Sequence, residues 1–257
     1  MSRIYYLMGK KRPLRKKDER KGGVGETLRT IVYAVLIALI IRTVAYEPFN
    51  IPSSSMVPTL LVGDYLFVSK YAYGYSRHSL PLSLPIFSGR ILDKQPKRGD
   101  VAVFKTPRDN STDYIKRIVG LPGDRIKMTD GRLHINGQVV PRKRIEQEIY
   151  RDRAGRPVHQ FIETLSDGRS YRTLDFGPGF PYDDTPEYVV KPGHYFMMGD
   201  NRDNSTDSRV IGQVPFENLV GRAEVVFFST DGSAQFWEVW RWPSAIRLTR
   251  FFTDLSI

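Results

Sequence analysis

Three hydroxyls stand in a row at Ser53, Ser54 and Ser55, within NIPSSSMVPTLLVGD (Asn50 to Asp64), and Pro52 and Pro58 stiffen the chain on either side. A serine hydroxyl attacks a carbonyl usefully only when a nearby base takes its proton. The triplet is therefore either a polar turn or holds a nucleophile whose base stands elsewhere in the chain. There is no cysteine, which excludes thiolate nucleophiles, disulfides and cysteine-based zinc sites. His78, His134, His159 and His194 sit in unrelated contexts, and none is flanked like a catalytic base. The G-x-S-x-G, H-E-x-x-H and phosphate-loop patterns are absent as well.

A lysine offers other chemistry. If DYIKRIVGLPGD (Asp113 to Asp124) is a strand, period-two alternation groups Lys116 with Tyr114 and Ile118, and Arg117 with Ile115 and Val119. One of the two cations then points into an apolar setting. Lysine is the one that can respond by losing its proton, since a fall of about three units from a reference near 10.4 corresponds to roughly 4 kcal/mol. A neutral buried amine is a general base; a surface lysine on an edge strand fits the same residues. MGDNRDNSTDSR (Met198 to Arg209) is rich in oxygen ligands, but a calcium loop would need one at Arg202 and an acid at Ile211. No metal is expected there, and Asx-turns account for the composition.

These groups need a scaffold. With 21 Gly, 17 Pro and 12% aromatic residues in 257, the short alternating runs predict a mainly β, turn-rich protein. GDYLFVSKYAYG (Gly63 to Gly74), RGDVAVFKTP (Arg98 to Pro107), GHYFMMGDN and VGRAEVVFFS are strand candidates. DRIKMTDGRLHINGQVV carries Asp130-Gly131 and Asn136-Gly137, pairs that favour tight hairpins. From Arg125 to about Val190 the chain turns polar and irregular, and reads as an insertion on the sheet.

The net charge of +11 is concentrated at one end. Residues 1–29 carry ten Lys/Arg against Asp18, Glu19 and Glu26, 10 − 3 = +7, which leaves +4 for the rest. A basic tail beside an apolar run sets membrane topology, and no nucleic-acid partner is expected. The run TIVYAVLIALII (Thr30 to Ile41) is too short alone, because twelve helical residues reach about 18 Å of a core about 30 Å thick. A transmembrane helix over 30–49 reaches across, with Arg42 snorkelling to the headgroups. A secretory signal ending near Thr43 to Ala45, or a buried core helix, is the alternative. By the positive-inside rule the tail stays cytoplasmic and Glu47 onward lies outside. Near the other end, FWEVWRWPSAIRLTRFF sets Trp237, Trp240 and Trp242 among Arg241, Arg247 and Arg250, which suits a lipid surface or a satellite core.

The boxes PSSSMVPTLLVGD, RGDVAVFK, DYIKRIVGLPGD and GDNRDNSTDSR, in this order after an apolar segment and continued by ENLVGRA, resemble the signature boxes of type I signal peptidases, the bacterial leader peptidases. The resemblance implies a membrane-anchored serine endopeptidase that removes signal peptides from exported preproteins with a Ser-Lys dyad and cuts after small residues of Ala-X-Ala type. It implies a basic cytoplasmic tail (1–29), a transmembrane helix (30–49), an antiparallel β-sheet catalytic core of the signal-peptidase type (50–124 and 191–257) and an inserted second domain of β-ribbon and loops (125–190).

Position by position, the same resemblance makes Ser55 the nucleophile and Lys116 its base. Ser53, with the backbone N–H of Ser55, forms the oxyanion hole. Ser205 orients the lysine amine, Asp207 and Arg209 form a supporting ion pair, and Gly199, Asp200, Arg202 and Asn204 belong to the same supporting box. Phe49, Ile51, Met56, Tyr114 and Ile115 line the substrate pocket. Ser54 stands where the family often has glycine and takes no catalytic role. No cofactor is implied; the partners are preproteins and membrane lipid. The implied location is the bacterial cytoplasmic (inner) membrane, crossed once, with the catalytic domain on the outer, periplasmic face. Two other classes share some of these features: self-cleaving repressors of the DNA-damage response, which are soluble, and a non-catalytic anchored β module that binds exported chains.

Overall fold

The strand candidates pair into one antiparallel sheet. The computed structural model describes residues 24–80, 83, 87–146, 150–152, 155–235 and 237–255. Eight strands make the main sheet: β1 (Tyr46–Asn50), β2 (Asp64–Ser69), β3 (Val101–Lys105), β4 (Asp113–Gly120), β5 (His194–Met198), β6 (Val214–Pro215), β7 (Leu219–Ser229) and β8 (Thr253–Asp254). Their order is β1-β2-β7-β3-β4-β5-β6, with β8 also on β7. All neighbours run antiparallel.

Strand β3 shows why VAVFK lacks a polar alternation. Val101 and Val103 join Leu66, Val68 and Val226 in one buried cluster, while Ala102 and Phe104 join Ile118, Tyr195 and Met197 in another. Period two feeds two cores from one strand, so both faces must be apolar.

Residues 125–190 are more regular than their composition suggests. Arg125–Thr129, Arg132–Ile135, Gln138–Val139 and Tyr188–Val189 form one small sheet, and Pro157–Thr164 with Arg142–Arg144, Tyr150–Arg151 and Ser170–Asp175 forms another. In RIKMT only alternate residues are buried, which gives the segment its polar look. Asp130, Gly131, Asn136 and Gly137 have φ of 50°, 68°, 54° and 80°, the paired positive values of tight hairpin turns. The insertion belongs to the compact unit Ile40–Ile257 along with the main sheet. Ile126, Met128 and Leu133 pack in one cluster with Val119 of β4 and Phe196 and Met198 of β5. The expected second domain is thus an elaboration that shares its core with the sheet.

The other unit ends at Leu39 and carries most of helix α1 (Val24–Val44). α1 starts earlier and stops sooner than the expected 30–49, and Tyr46–Asn50 is β1 instead. Pro48 has no N–H to give a helix, whereas the register from Tyr46↔Ser69 to Asn50↔Tyr65 gives this stretch a ladder on β2. At 21 residues α1 is long and apolar enough to cross a membrane, about 31 Å at 1.5 Å per residue. Arg42 lies in its last turn and pairs with Glu47 at 3.1 Å. Residues 1–23 of the basic tail lie outside the described residues.

Candidate active site

Strand β1 hands the chain directly to the serines. Ile51 N–H donates to Asp64 O and Gly63 N–H to Ile51 O, both at 2.9 Å, which closes the loop that carries them. Ser53 stays exposed while Ser55 turns inward. Strand β4 brings a buried amine: Lys116 Nζ, 61 positions along the chain, donates to Ser55 Oγ at 2.6 Å and to the Ile115 carbonyl at 3.0 Å. Ser53 Oγ stands 3.4 Å from Ser55 Oγ, within reach of an oxygen developing beside the nucleophile. Lys116 is 4% exposed. Burial pushes its ammonium down to about 8, opposed by the negative Asp207 and Asp200. About a tenth of such an amine is neutral at pH 7.

Both cations of the Lys-Arg pair are buried, not one of them. Arg117 forks onto Asp200, with Nε to Oδ1 at 2.8 Å and Nη2 to Oδ2 at 2.7 Å, and its Nη1 donates to Gly99 O at 2.7 Å. Thr59 Oγ1 donates to the same carboxylate at 2.5 Å. The guanidinium carbon lies 4.2 Å from the centroid of the Tyr171 ring, and Tyr171 OH donates to Glu163, which also takes Arg202. Insertion and strand β4 are tied by buried charge.

The segment after β5 clamps the serine loop. Asn201 N–H donates to Ser55 O and Asn201 Nδ2 to Ser54 O, both at 3.1 Å, while Asn204 Nδ2 donates to Ser54 Oγ at 2.8 Å. Gly199 permits this approach, because a Cβ there would sit 2.6 Å from Ser55 O and overlap Ser205. Gly199 N–H donates to Asp207 at 3.0 Å, and Arg209 holds Asp207 with Nε at 2.9 Å and Nη2 at 2.8 Å. Burial alone would raise the Asp207 carboxyl, but the bonds and charge of Arg209 outweigh it and hold it below the usual carboxylate range. The Ser205 hydroxyl is buried and helps hold the Asp207 carboxylate in its charged form. The orienting bond expected from Ser205 to the amine is not formed in this geometry, where Nζ reaches Ser55 and Ile115.

A cleft of about 510 Å³ adjoins Ser55 and Lys116 and is lined by them together with Ser53, Phe49, Ile51, Val103, Tyr114 and Ile115. Four of the five expected pocket residues are there. Met56 is not: it is 1% exposed in the core with Leu60 and Leu66, turned inward after Ser55. None of the four histidines lines the cleft. Among the described residues no group of three or more His, Asp or Glu could hold a metal. Asn201, Thr59, Glu163 and Tyr171 escape sequence reading. Asn201 sits in the GDNRDN box with no signal to separate it from its neighbours, and Glu163 and Tyr171 lie on insertion strands without any motif. The arrangement as a whole, a buried amine on a serine hydroxyl with a second hydroxyl beside it, is equipped for acyl transfer.

The sequence profile of the family described as Signal peptidase, peptidase S26 matches residues 24–228. A protein named Signal peptidase I from Rickettsia typhi is 39% identical over 252 residues, which are 90% of this chain and 94% of that protein. Another of the same name from Rickettsia canadensis is 40% identical over 247 residues, 88% of this chain and 92% of the relative. A solved signal peptidase I from Enterococcus faecalis V583 is 32% identical and covers 50% of this chain and 97% of that one, at a TM-score of 0.31.

Proposed function

The chain belongs to the signal peptidase family, peptidase S26, as a serine peptidase of the signal peptidase I type that removes signal peptides, and from that premise we propose that Ser55 and Lys116 are its catalytic dyad. The observation that carries this reading is the 2.6 Å contact between the buried Lys116 amine and the Ser55 hydroxyl. In its neutral form the amine takes the serine proton as Oγ attacks the carbonyl before the cut. Ser53 Oγ and the Ser55 N–H receive the oxyanion. Collapse breaks the peptide bond, the leaving amine of the mature chain takes the proton from Lys116, and an ester remains on Ser55. Water, deprotonated by the same lysine, then hydrolyses the ester and restores the serine.

Backbone edges support the specificity. β1 is an edge strand, and β5 pairs with β4 only from Arg117 onward, which leaves Asp113 to Lys116 open on that side. An extended peptide can lie between these edges. Phe49, Ile51, Tyr114 and Ile115 crowd the space and favour small side chains at the first and third positions before the cut. With purified protein in detergent and a preprotein ending its signal in Ala-X-Ala, replacing the last Ala by Phe is expected to lower kcat/KM about 100-fold or more. Equal cleavage of the two, read by the mass of the product, would remove this pocket assignment.

The anchor reading rests on α1 and the +7 tail: a single crossing with the N-terminus cytoplasmic and the body on the outer face of the bacterial cytoplasmic membrane. The family match begins at residue 24 and includes α1, which favours a retained helix over a cleaved signal. Trp237, Trp240 and Trp242 are 66%, 72% and 39% exposed, so they fill no satellite core, and their exposure suits contact with lipid headgroups. Protease added outside intact spheroplasts is expected to digest the body; a protected body would reverse the topology.

A further inference from the structure

Beside the dyad lies a second cleft, of about 790 Å³, that shares Ser54 and Asn204 with the first. We propose that this cleft receives the first residues of the mature chain, on the far side of the scissile bond, and selects an apolar side chain there. The proposal rests on the Ser55–Lys116 reading and on the passage of a peptide through it. A substrate whose signal end lies between β1 and β4 must leave Ser55 on the other side of the serine loop. Among the described residues, that is where this cleft opens.

Its surface is suited to a peptide. Val57, Leu61, Tyr150 and Phe176 form an apolar floor, continuous with a buried cluster that includes Val158 and Leu174. The wall nearest the nucleophile is Asn201, 3% exposed, whose N–H and Nδ2 hold Ser55 O and Ser54 O. Asn201 thus fixes the serine loop against this wall, so that a peptide leaving Ser55 meets a rigid edge. The rim carries Asp152 and Asp231 against Arg156 and Arg247. The two signs balance, so the cleft selects on apolar area rather than on net charge. Three extended residues span about 10 Å, enough to carry a side chain from Ser55 onto the floor.

The test compares two peptides with the same signal end. One stops as an amide at the first residue after the cut, and the other continues for three more residues that include a leucine. Partial burial of that leucine is expected to raise kcat/KM for the longer peptide about tenfold in the full-length protein. The ratio of long to short should fall close to one in Phe176→Ala and in Tyr150→Ala. A wild-type ratio of one, or variant ratios equal to the wild-type ratio, overturns the proposal. A second measurement does not depend on these variants folding. The longer peptide, with benzoylphenylalanine in place of leucine, is illuminated on Ser55→Ala protein. Crosslinks to Leu61, Tyr150 or Phe176 support the assignment, and crosslinks confined to Phe49 to Pro52 defeat it. Cleavage of either peptide by the Ser55→Ala protein would instead defeat the nucleophile assignment, and the two failures are read separately.

Discussion

Lys116→Met is expected to abolish cleavage while making the protein more stable. Loss of a residue that acts in concert with the nucleophile typically removes about 10⁴-fold or more of the rate, and Ser55→Ala should match it. Ser53→Ala, which removes one oxyanion donor and leaves the dyad intact, should fall less, about 10² to 10³-fold. The stability gain follows from the sign of the lysine shift. Burial lowers the folded-state value from 10.5 to about 8, so folding below pH 8 forces a charged amine into an environment that disfavours the charge. Between pH 8 and 10.5 the unfolded chain binds the proton and the folded one does not, so stability rises with pH across that window. The penalty is fully present below the folded value and amounts to about 3 kcal/mol. Methionine fills the space of the lysine stem without it, so the variant should gain up to about that much at pH 7, and the gain should vanish as pH approaches 10.5. Wild-type kcat/KM should climb nearly tenfold per unit below pH 8 and level off above it. A profile flat from pH 6 to 9, or a variant that melts below wild type at pH 7, would remove the buried-amine base.

How much of this was legible in the sequence depends on the range of the interaction. The strands were visible because alternation and bounding glycines are local, as in DYLFVS and the two hairpin pairs at Asp130 and Asn136. Ser55 and Lys116 were legible because each sits in a box that resembles a signature box of the family, although nothing in either box says that they touch. The end of α1 at Val44 is only partly local: Pro48 argues against a helix there, but the ladder on Asp64 to Ser69 that makes the stretch a strand is supplied by the fold alone. Met56, placed in the pocket by the resemblance, instead turns into the core with Leu60 and Leu66, a direction that no local pattern announces. The Arg117–Asp200 pair lay furthest out of reach: its members are 83 positions apart, and alternation predicted one buried cation where the fold buries two with different means of compensation. Burial makes the lysine give up its proton more readily; the arginine, which cannot, takes a carboxylate.

That difference gives the second large effect. Arg117 and Asp200 have side-chain exposures of 0% and 1%, so removing either partner leaves a buried charge unpaired. Arg117→Met and Asp200→Leu are each expected to destabilise the protein by about 3 to 5 kcal/mol. Replacing both should be close to neutral, with a coupling nearly as large as the sum of the two single losses, because the survivor of each single change carries the larger part of the penalty. An exposed pair serves as the contrast: Arg125 and Glu187 meet at the surface, with side-chain exposures of 61% and 35%, and Arg125→Met should leave the unfolding transition where it is. Activity separates the buried pair further from a merely structural role. Asp200 lies between Gly199, which makes room for the Ser55 carbonyl, and Asn201, which binds it. The double variant can therefore recover stability without recovering the position of the nucleophile. Its thermal unfolding should approach that of wild type, while its kcat falls and KM stays near the wild-type value. If kcat returned along with stability, the pair would be holding up the fold alone, and the clamp on Ser55 would have to come from Asn201 and Asn204 without it.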